Sequence, residues 1–299
     1  MEIFIQCTGG FTNRINSIII GIFLYKYYPG SITKLHINWE PDSQCDANIE
    51  SLFDIKDPNL HIVKSTEEFT NKKIILTKIW RQSRAVYKDQ LHMPFSIVEN
   101  IYNPHAFKKA GEIITLIKNT CKDTQLLYVS DPQVPQYVSY IPFFQTFKFK
   151  PHILQKVNQY NVDIGVHVRG TDILNKFKIS MCDIDNYFKN LLAKYNSIFV
   201  CTDDKQIYDL CKKYNNIKTN NIINHVEKLS DSQNWYNHYG QDPKSVFNVY
   251  RSENQVVESI IDILTMAKLP NITGFVTSED STYYVFIQNC KQYKSIIFS

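Results

Sequence analysis

The chain has 299 residues, 43% of them hydrophobic and 13% aromatic, which suffices for a well-buried core and favours two compact domains over one. Lys and Arg total 33 against 29 Asp and Glu, a net charge of only +4, and no clustered basic run marks a nucleic-acid surface, so that class of partner is excluded. The 7 cysteines (Cys7, Cys45, Cys121, Cys182, Cys201, Cys211 and Cys290) are odd in number and never form a C-x-x-C pair. This argues against a disulfide framework or a thiolate zinc site and predicts a reducing, cytoplasmic setting.

The opening residues lack a basic region followed by a long apolar one, so 2–7 reads as a strand and not as a signal peptide. No stretch approaches the ~20 apolar residues of a membrane span. Gly9-Gly10 ends the strand, and from about Asn13 to Tyr28 the residues Ile15, Ile18, Ile19, Ile22 and Phe23 recur at helical spacing. Residues 35–39 and 73–77 read as further short strands. Pro132, Pro135, Pro142 and Pro151 break up residues 131–151, which therefore cannot be one helix or one central strand and read as the connection between domains 1–145 and 146–299.

The second half alternates more clearly. Strands are predicted over 162–168, 197–201 and 272–276. Helices are predicted over 185–195, 205–214 (Ile207, Leu210, Cys211 and Tyr214 on one face), 254–268 (Val257, Ile260, Ile261 and Leu264 facing the core) and 282–289. Strand–helix–strand repetition implies α/β layering on parallel sheets, because parallel neighbours need crossover connections. Ligands of such sheets lie beyond the carboxyl ends of the strands.

Four strand ends carry polar residues there. In Asp163-Ile-Gly-Val-His-Val-Arg169-Gly-Thr-Asp172 the alternation of a strand places Ile164, Val166 and Val168 on one face and Gly165, His167 and Arg169 on the other. Arg169 stands where the strand stops, and its five-donor fork suits a diphosphate. A salt bridge to a helix-end carboxylate is an equal reading on spacing alone, and His167 by itself reads as a core histidine bonded to a backbone carbonyl. In Thr202-Asp203-Asp204, Asp204 reads as a helix cap, while Thr202 or Asp203 can face a ribose or base. The pair also raises a metal, but magnesium sites need further carboxylates or phosphates, and Arg169 competes for that place.

Thr277-Ser-Glu-Asp-Ser-Thr282 places Ser281 as an N-cap and Ser278 within reach of a phosphate, or forms a capping loop without a ligand. Asp262 lies on the opposite side of its helix from Ile260 and Leu264 and by itself reads as solvated. At Gly9-Gly-Phe-Thr-Asn13-Arg14 the glycines permit close approach to a ligand, but the dinucleotide fingerprint is absent and Asn13 reads as a helix cap. Trp39 reads as core, and Glu40 is the nearest N-domain carboxylate to a strand end.

In this order the motifs resemble the fucosyltransferase superfamily that includes the α1,6-fucosyltransferases, the rhizobial Nod-factor enzyme and the protein O-fucosyltransferases. The resemblance is specific at Gly165–Asp172, similar to the family's H-x-R motif, and looser at Thr202–Asp204, Asp262, Ser278 and Gly9–Asn13. It implies a GT-B architecture, two Rossmann-like domains with a donor cleft, 1–145 on the acceptor side and 146–299 binding the nucleotide-sugar. The implied function is inverting transfer of fucose from GDP-fucose to a glycan or protein hydroxyl, with no metal and no cofactor. It implies Arg169 on the β-phosphate, His167 and Asp262 near the guanosine, Ser278 and Ser281 near the diphosphate, and Asn13 near the reacting sugar.

Two departures matter. Several relatives carry a second Arg after the first, where this chain has Gly170, so that Arg14 or a backbone N–H takes its place. The α1,6 enzymes also carry a glutamate just past the motif, where this chain reads Ile173-Leu-Asn-Lys-Phe177, leaving Glu40 and Asp172 as candidate bases. A transferase of this fold using another nucleotide-sugar, and a non-catalytic nucleotide-sugar-binding protein, stay open. Trp80, Arg81, Arg84, His92 and Tyr102 are the polar or aromatic residues available to an acceptor.

Overall fold

The computed structural model describes residues 2–7, 9–27, 32–42, 44–63, 74–78, 97–102, 126–130, 138–170, 178–220, 227–228, 249–275 and 281–299. Two compact units are present. One comprises Met1–Pro41, Ile55–Lys148 and Tyr239–Pro243, the other Asp42–Asp54, Phe149–His238 and Lys244–Ser299. The division at Lys148–Phe149 compares with the expected 145/146, and residues 42–54 group with the second unit, not with the half of the sequence that contains them.

The first unit is built on a six-stranded parallel sheet. Its strands are β1 (Glu2–Cys7), β2 (Lys34–Trp39), β3 (Leu60–Ile62), β4 (Ile74–Lys78), β5 (Ile97–Tyr102) and β6 (Leu126–Ser130), in the spatial order β3-β2-β1-β6-β4-β5. Helix α1 (Phe11–Tyr27) packs Ile15, Ile18, Ile19 and Ile22 into the core beside Ile3, Ile5, Leu35 and Ile37. A Cβ at Gly21 would lie 2.0 Å from Ile5 Cδ1, so glycine is what lets the helix approach the sheet this closely. In chain order the strands run from β1 through β2 to the edge strand β3, then to β4 and the opposite edge β5, and β6 is inserted last between β1 and β4. The winding reverses at the carboxyl end of β1, the place where such sheets bind ligands.

The second unit carries a four-stranded parallel sheet of β7 (Ile164–Val168), β8 (Ile198–Thr202), β9 (Ile217–Lys218) and β10 (Ile272–Gly274), ordered β9-β8-β7-β10. Ile164, Val166 and Val168 do share an apolar face, packed with Ile184 and Phe188 of α2 (Met181–Leu192) and with Ile207 and Leu210 of α3 (Lys205–Cys211). The opposite face is covered by α4 (Glu253–Lys268) and α5 (Thr282–Gln292). A Cβ at Gly165 would lie 2.6 Å from both Leu269 Cδ1 and Met266 Sδ, and the His167 ring stacks on Tyr283 at 4.7 Å.

Local sequence sets the helix starts. Ser180 with Asp183 and Ser252 with Gln255 form capping boxes at α2 and α4. The proline-rich stretch is not one element, as expected: short helices Ile141–Thr146 and Pro151–Leu154 each begin with a proline in the first turn, with strand Phe147–Phe149 between them. Residues 42–54 are tied into the second unit by Asp46 N–H donating to Arg251 O at 3.0 Å, Lys150 N–H donating to Leu52 O at 3.0 Å, and Phe53 against Phe149 at 4.9 Å.

Candidate functional site

In the second unit the winding reverses at β7, with β8 and β9 on one side and β10 on the other. Half-buried Arg169 follows the carboxyl end of β7 directly. Gly170 is buried, and its N–H donates to Asp203 Oδ1 at 2.8 Å. A Cβ on residue 170 would lie 2.2 Å from Asp204 Cβ and 2.9 Å from Ile207 Cδ1. A second arginine therefore has no room here, which gives the departure at this position a steric cause.

Asp204 caps α3, accepting from Gln206 N–H at 2.8 Å and Ile207 N–H at 3.2 Å, as expected. Asp203 accepts from Gly170 and lies 3.8 Å from Arg251. Thr202 is buried, its hydroxyl accepting from Asp204 N–H at 3.2 Å. The carboxylate pair is thus engaged by backbone donors and an arginine. Among the described residues, no group of three or more His, Cys, Asp and Glu is arranged to hold a metal ion.

His167 is buried, and among the described residues its Nδ1 has no hydrogen-bond partner. The backbone-carbonyl bond expected of a core histidine does not form at that nitrogen. Burial pushes its pKa down to about 4, Asp203 opposing and Arg169 reinforcing the shift. The imidazole is neutral at pH 7 and can accept or donate through Nδ1 according to tautomer.

Asp262 is 6% exposed and does not lie on a solvated face as its helix position suggested. Its Oδ1 accepts from Asn220 Nδ2 at 2.5 Å and its Oδ2 from Cys201 Sγ at 3.5 Å, partners brought from β8 and from the chain beyond β9. Cys201 is the cross-strand neighbour of His167 and lies 3.6 Å from the Tyr283 hydroxyl, which donates to Ser259 O at 2.9 Å. Burial raises the pKa of both the Cys201 thiol and the Tyr283 phenol well above normal, so both stay protonated. Ser281 is the N-cap of α5, accepting from Tyr284 N–H at 3.0 Å. The network therefore joins His167, Asp262 and the first turn of α5. Cys201, Asn220 and Tyr283 were not legible as site residues: they belong to no shared motif.

In the first unit Gly9 has φ of 81°, a left-handed conformation that suits glycine, and Gly10 follows half-buried. Asn13 is not the helix cap expected from its type. The helix begins two residues earlier at Phe11, and Asn13 N–H donates to Gly10 O at 3.0 Å from within the first turn. Arg14 is fully buried, its Nε donating to Gly9 O at 2.8 Å and its Nη1 to Glu40 O at 2.6 Å, with the guanidinium 5.1 Å from the Trp39 ring centroid. It ties the ends of β1 and β2 together, a role that burial makes structural. Trp39 is core, as expected. The Glu40 side chain is exposed, Oε1 accepting from Asn38 Nδ2 at 3.1 Å.

Asp172, Ser278, Trp80, Arg81, Arg84 and His92 lie outside the described residues, and Tyr102 is described by its backbone alone. No helix among the described residues is long and apolar enough to cross a membrane.

No protein-family model and no curated protein matches the sequence. Solved structures do match. A NodZ α-1,6-fucosyltransferase soaked with GDP-fucose superposes with a TM-score of 0.54 at 14% identity, over 96% of this chain and 91% of that one. The same enzyme co-crystallised with GDP gives 0.54 at 13% identity, with the same shares covered. NodZ from Bradyrhizobium gives 0.53 at 14%, over 96% and 92%. At these identities the likeness is one of fold, and it extends over nearly the whole of both chains. The chain shares the fold of these NodZ fucosyltransferase structures.

Proposed function

We propose that the chain is an inverting glycosyltransferase that moves fucose from GDP-fucose to a hydroxyl of a glycan or protein acceptor, without a metal. The observation that carries this reading is Arg169, half-buried at the carboxyl end of β7 where the sheet's winding reverses. The full-length fold likeness to an enzyme soaked with GDP-fucose supports the choice of donor.

In this reading the second unit holds the nucleotide. Arg169 and the first-turn N–H groups of α5, behind Ser281, stabilise the negative charge that grows on the diphosphate as the sugar leaves, with Ser278 beside them. His167 and Asp262 attend the guanine: a carboxylate acceptor is complementary to a base edge that carries N–H donors. Thr202 and Asp203 line the same strand end. The first unit serves the sugar and acceptor through Asn13 and the backbone at Gly9 and Gly10.

The acceptor oxygen forms a bond to the anomeric carbon from the side opposite the diphosphate. The bond from that carbon to the β-phosphate oxygen breaks, and its electron pair leaves with GDP. The acceptor's proton passes to a carboxylate, Glu40 or Asp172. A single displacement inverts the anomeric centre. The engagement of Asp203 and Asp204 by backbone donors and Arg251 favours charge neutralisation by arginine and helix over a metal.

A thermal-shift panel of GDP, UDP and their sugars, repeated with EDTA, tests the reading. It predicts stabilisation by GDP and GDP-fucose unchanged by EDTA, followed by GDP release when acceptor glycans are added. Stabilisation by UDP compounds alone would assign another donor. Binding of GDP-fucose with no turnover on any acceptor would assign a non-catalytic binder.

A further inference from the structure

We infer that Asn220 is a positioning residue, which holds the Asp262 carboxylate toward the donor's base and is itself fixed by Asn158 and Tyr160. The inference rests on the donor assignment above. Asn220 is 7% and Asp262 6% exposed. The Asn220 amide uses both ends: Nδ2 donates to Asp262 Oδ1 at 2.5 Å, while Oδ1 accepts from Asn158 Nδ2 at 2.7 Å and from the Tyr160 hydroxyl at 3.0 Å. Turning the amide over would set its carbonyl oxygen against a carboxylate oxygen and its NH2 against two donors, so the chemistry of the partners dictates the orientation. Tyr160 is in turn stacked on Phe199 of β8 at 5.0 Å.

A buried carboxylate is stable as an anion only with donors around it, and an amide N–H to an ionised oxygen is a strong, charge-assisted bond. The Cys201 thiol at 3.5 Å is a weak donor by comparison. Asn220 therefore supplies the strong donor to Asp262 Oδ1, and Asp262 Oδ2 is tied through the Cys201 thiol to the strand position that pairs with His167. Asn158, Tyr160, Asn220 and Asp262 come from three segments far apart in the chain. Asn158 and Tyr160 meet on the Asn220 amide oxygen and Asn220 on the Asp262 carboxylate, a relay that sets which acceptor is offered to a base with donor hydrogens.

The test compares wild type with Asn220→Ala and Asn220→Asp, measuring GDP affinity by calorimetry from pH 5.5 to 9 and the thermal shift given by millimolar pyrophosphate, which lacks the base. Loss of the amide donor is expected to weaken GDP about tenfold in Asn220→Ala, with the pyrophosphate shift unchanged. Asn220→Asp is expected to show the same loss at pH 9 and to recover toward pH 5.5, where a carboxyl proton at 220 replaces the amide hydrogen. GDP affinity equal to wild type in both variants would overturn the proposal, and so would equal losses for GDP and pyrophosphate, the mark of a general structural defect. Wild type that binds no GDP would overturn the donor assignment and this inference with it.

Discussion

Replacing Gly170 by Ala tests the packing that places Arg169. The added methyl would sit 2.2 Å from Asp204 Cβ and 2.9 Å from both Asp204 Cγ and Ile207 Cδ1. Carbon atoms at ease stand ~3.5–4.0 Å apart, so the end of β7 and the start of α3 must separate by about 1.3 Å or more. The nearest atom is bonded to backbone at a helix cap and cannot swing away as a side-chain tip can. Separation strains the Gly170 N–H bond to Asp203 and the Asp204 cap bonds together. Overpacking with partial loss of these bonds gives about 2–4 kcal/mol of destabilisation. In a protein of this size that is a fall in Tm of roughly 3–6 °C. Urea unfolding, with the m-value checked for constancy, measures it. A Gly170→Ala protein within about 0.5 kcal/mol of wild type would refute the reasoning.

Gly165→Ala is expected to cost less, about 1 kcal/mol, because its methyl meets the mobile ends of Leu269 and Met266 at 2.6 Å; the same urea series reads the ranking, and a larger loss at 165 than at 170 contradicts it. His167 protonates near pH 6.5 when unfolded but only near 4 when folded, so its contribution is full above 6.5 and falls away toward pH 4 by roughly 3 kcal/mol. His36, whose pKa burial also lowers against the pull of Glu2, acts in the same direction, so the check is the difference between wild type and His167→Gln, which should show a flatter acid limb. Arg169→Ala should lower kcat at least ~100-fold in a GDP-fucose turnover assay while leaving the unfolding midpoint near wild type; near-normal turnover would remove Arg169 from the mechanism.

The alternation of strands and helices was legible because each element states its own burial: Ile164, Val166 and Val168 at period two, Val257, Ile260, Ile261 and Leu264 at helical spacing. Caps were legible for the same local reason, as at Asp204 and Ser281. Strand β6, which pairs with both β1 and β4, is not among the predicted strands although Leu126-Leu127-Tyr128-Val129 is an apolar run ahead of the prolines. What sequence pattern could not convey is long-range satisfaction. Asp262 on the minor face of an apolar helix looks solvated until Asn220 and Cys201 arrive from other segments. Arg14 looks like a donor for a ligand until its guanidinium meets two strand-end carbonyls. Residues 42–54 group with the second unit through bonds to Arg251 and Lys150, some 100 to 200 residues away, and no local signal encodes that.

The central claim is that Arg169 holds the diphosphate of a guanine nucleotide, and calorimetric titration of GDP into wild type and Arg169→Ala, both in EDTA, tests it most directly. The account predicts saturable binding to wild type and a loss of at least about tenfold in the variant, the effect of removing a charged hydrogen-bonding partner. Equal GDP affinity in the two proteins, or no binding to wild type, would contradict it.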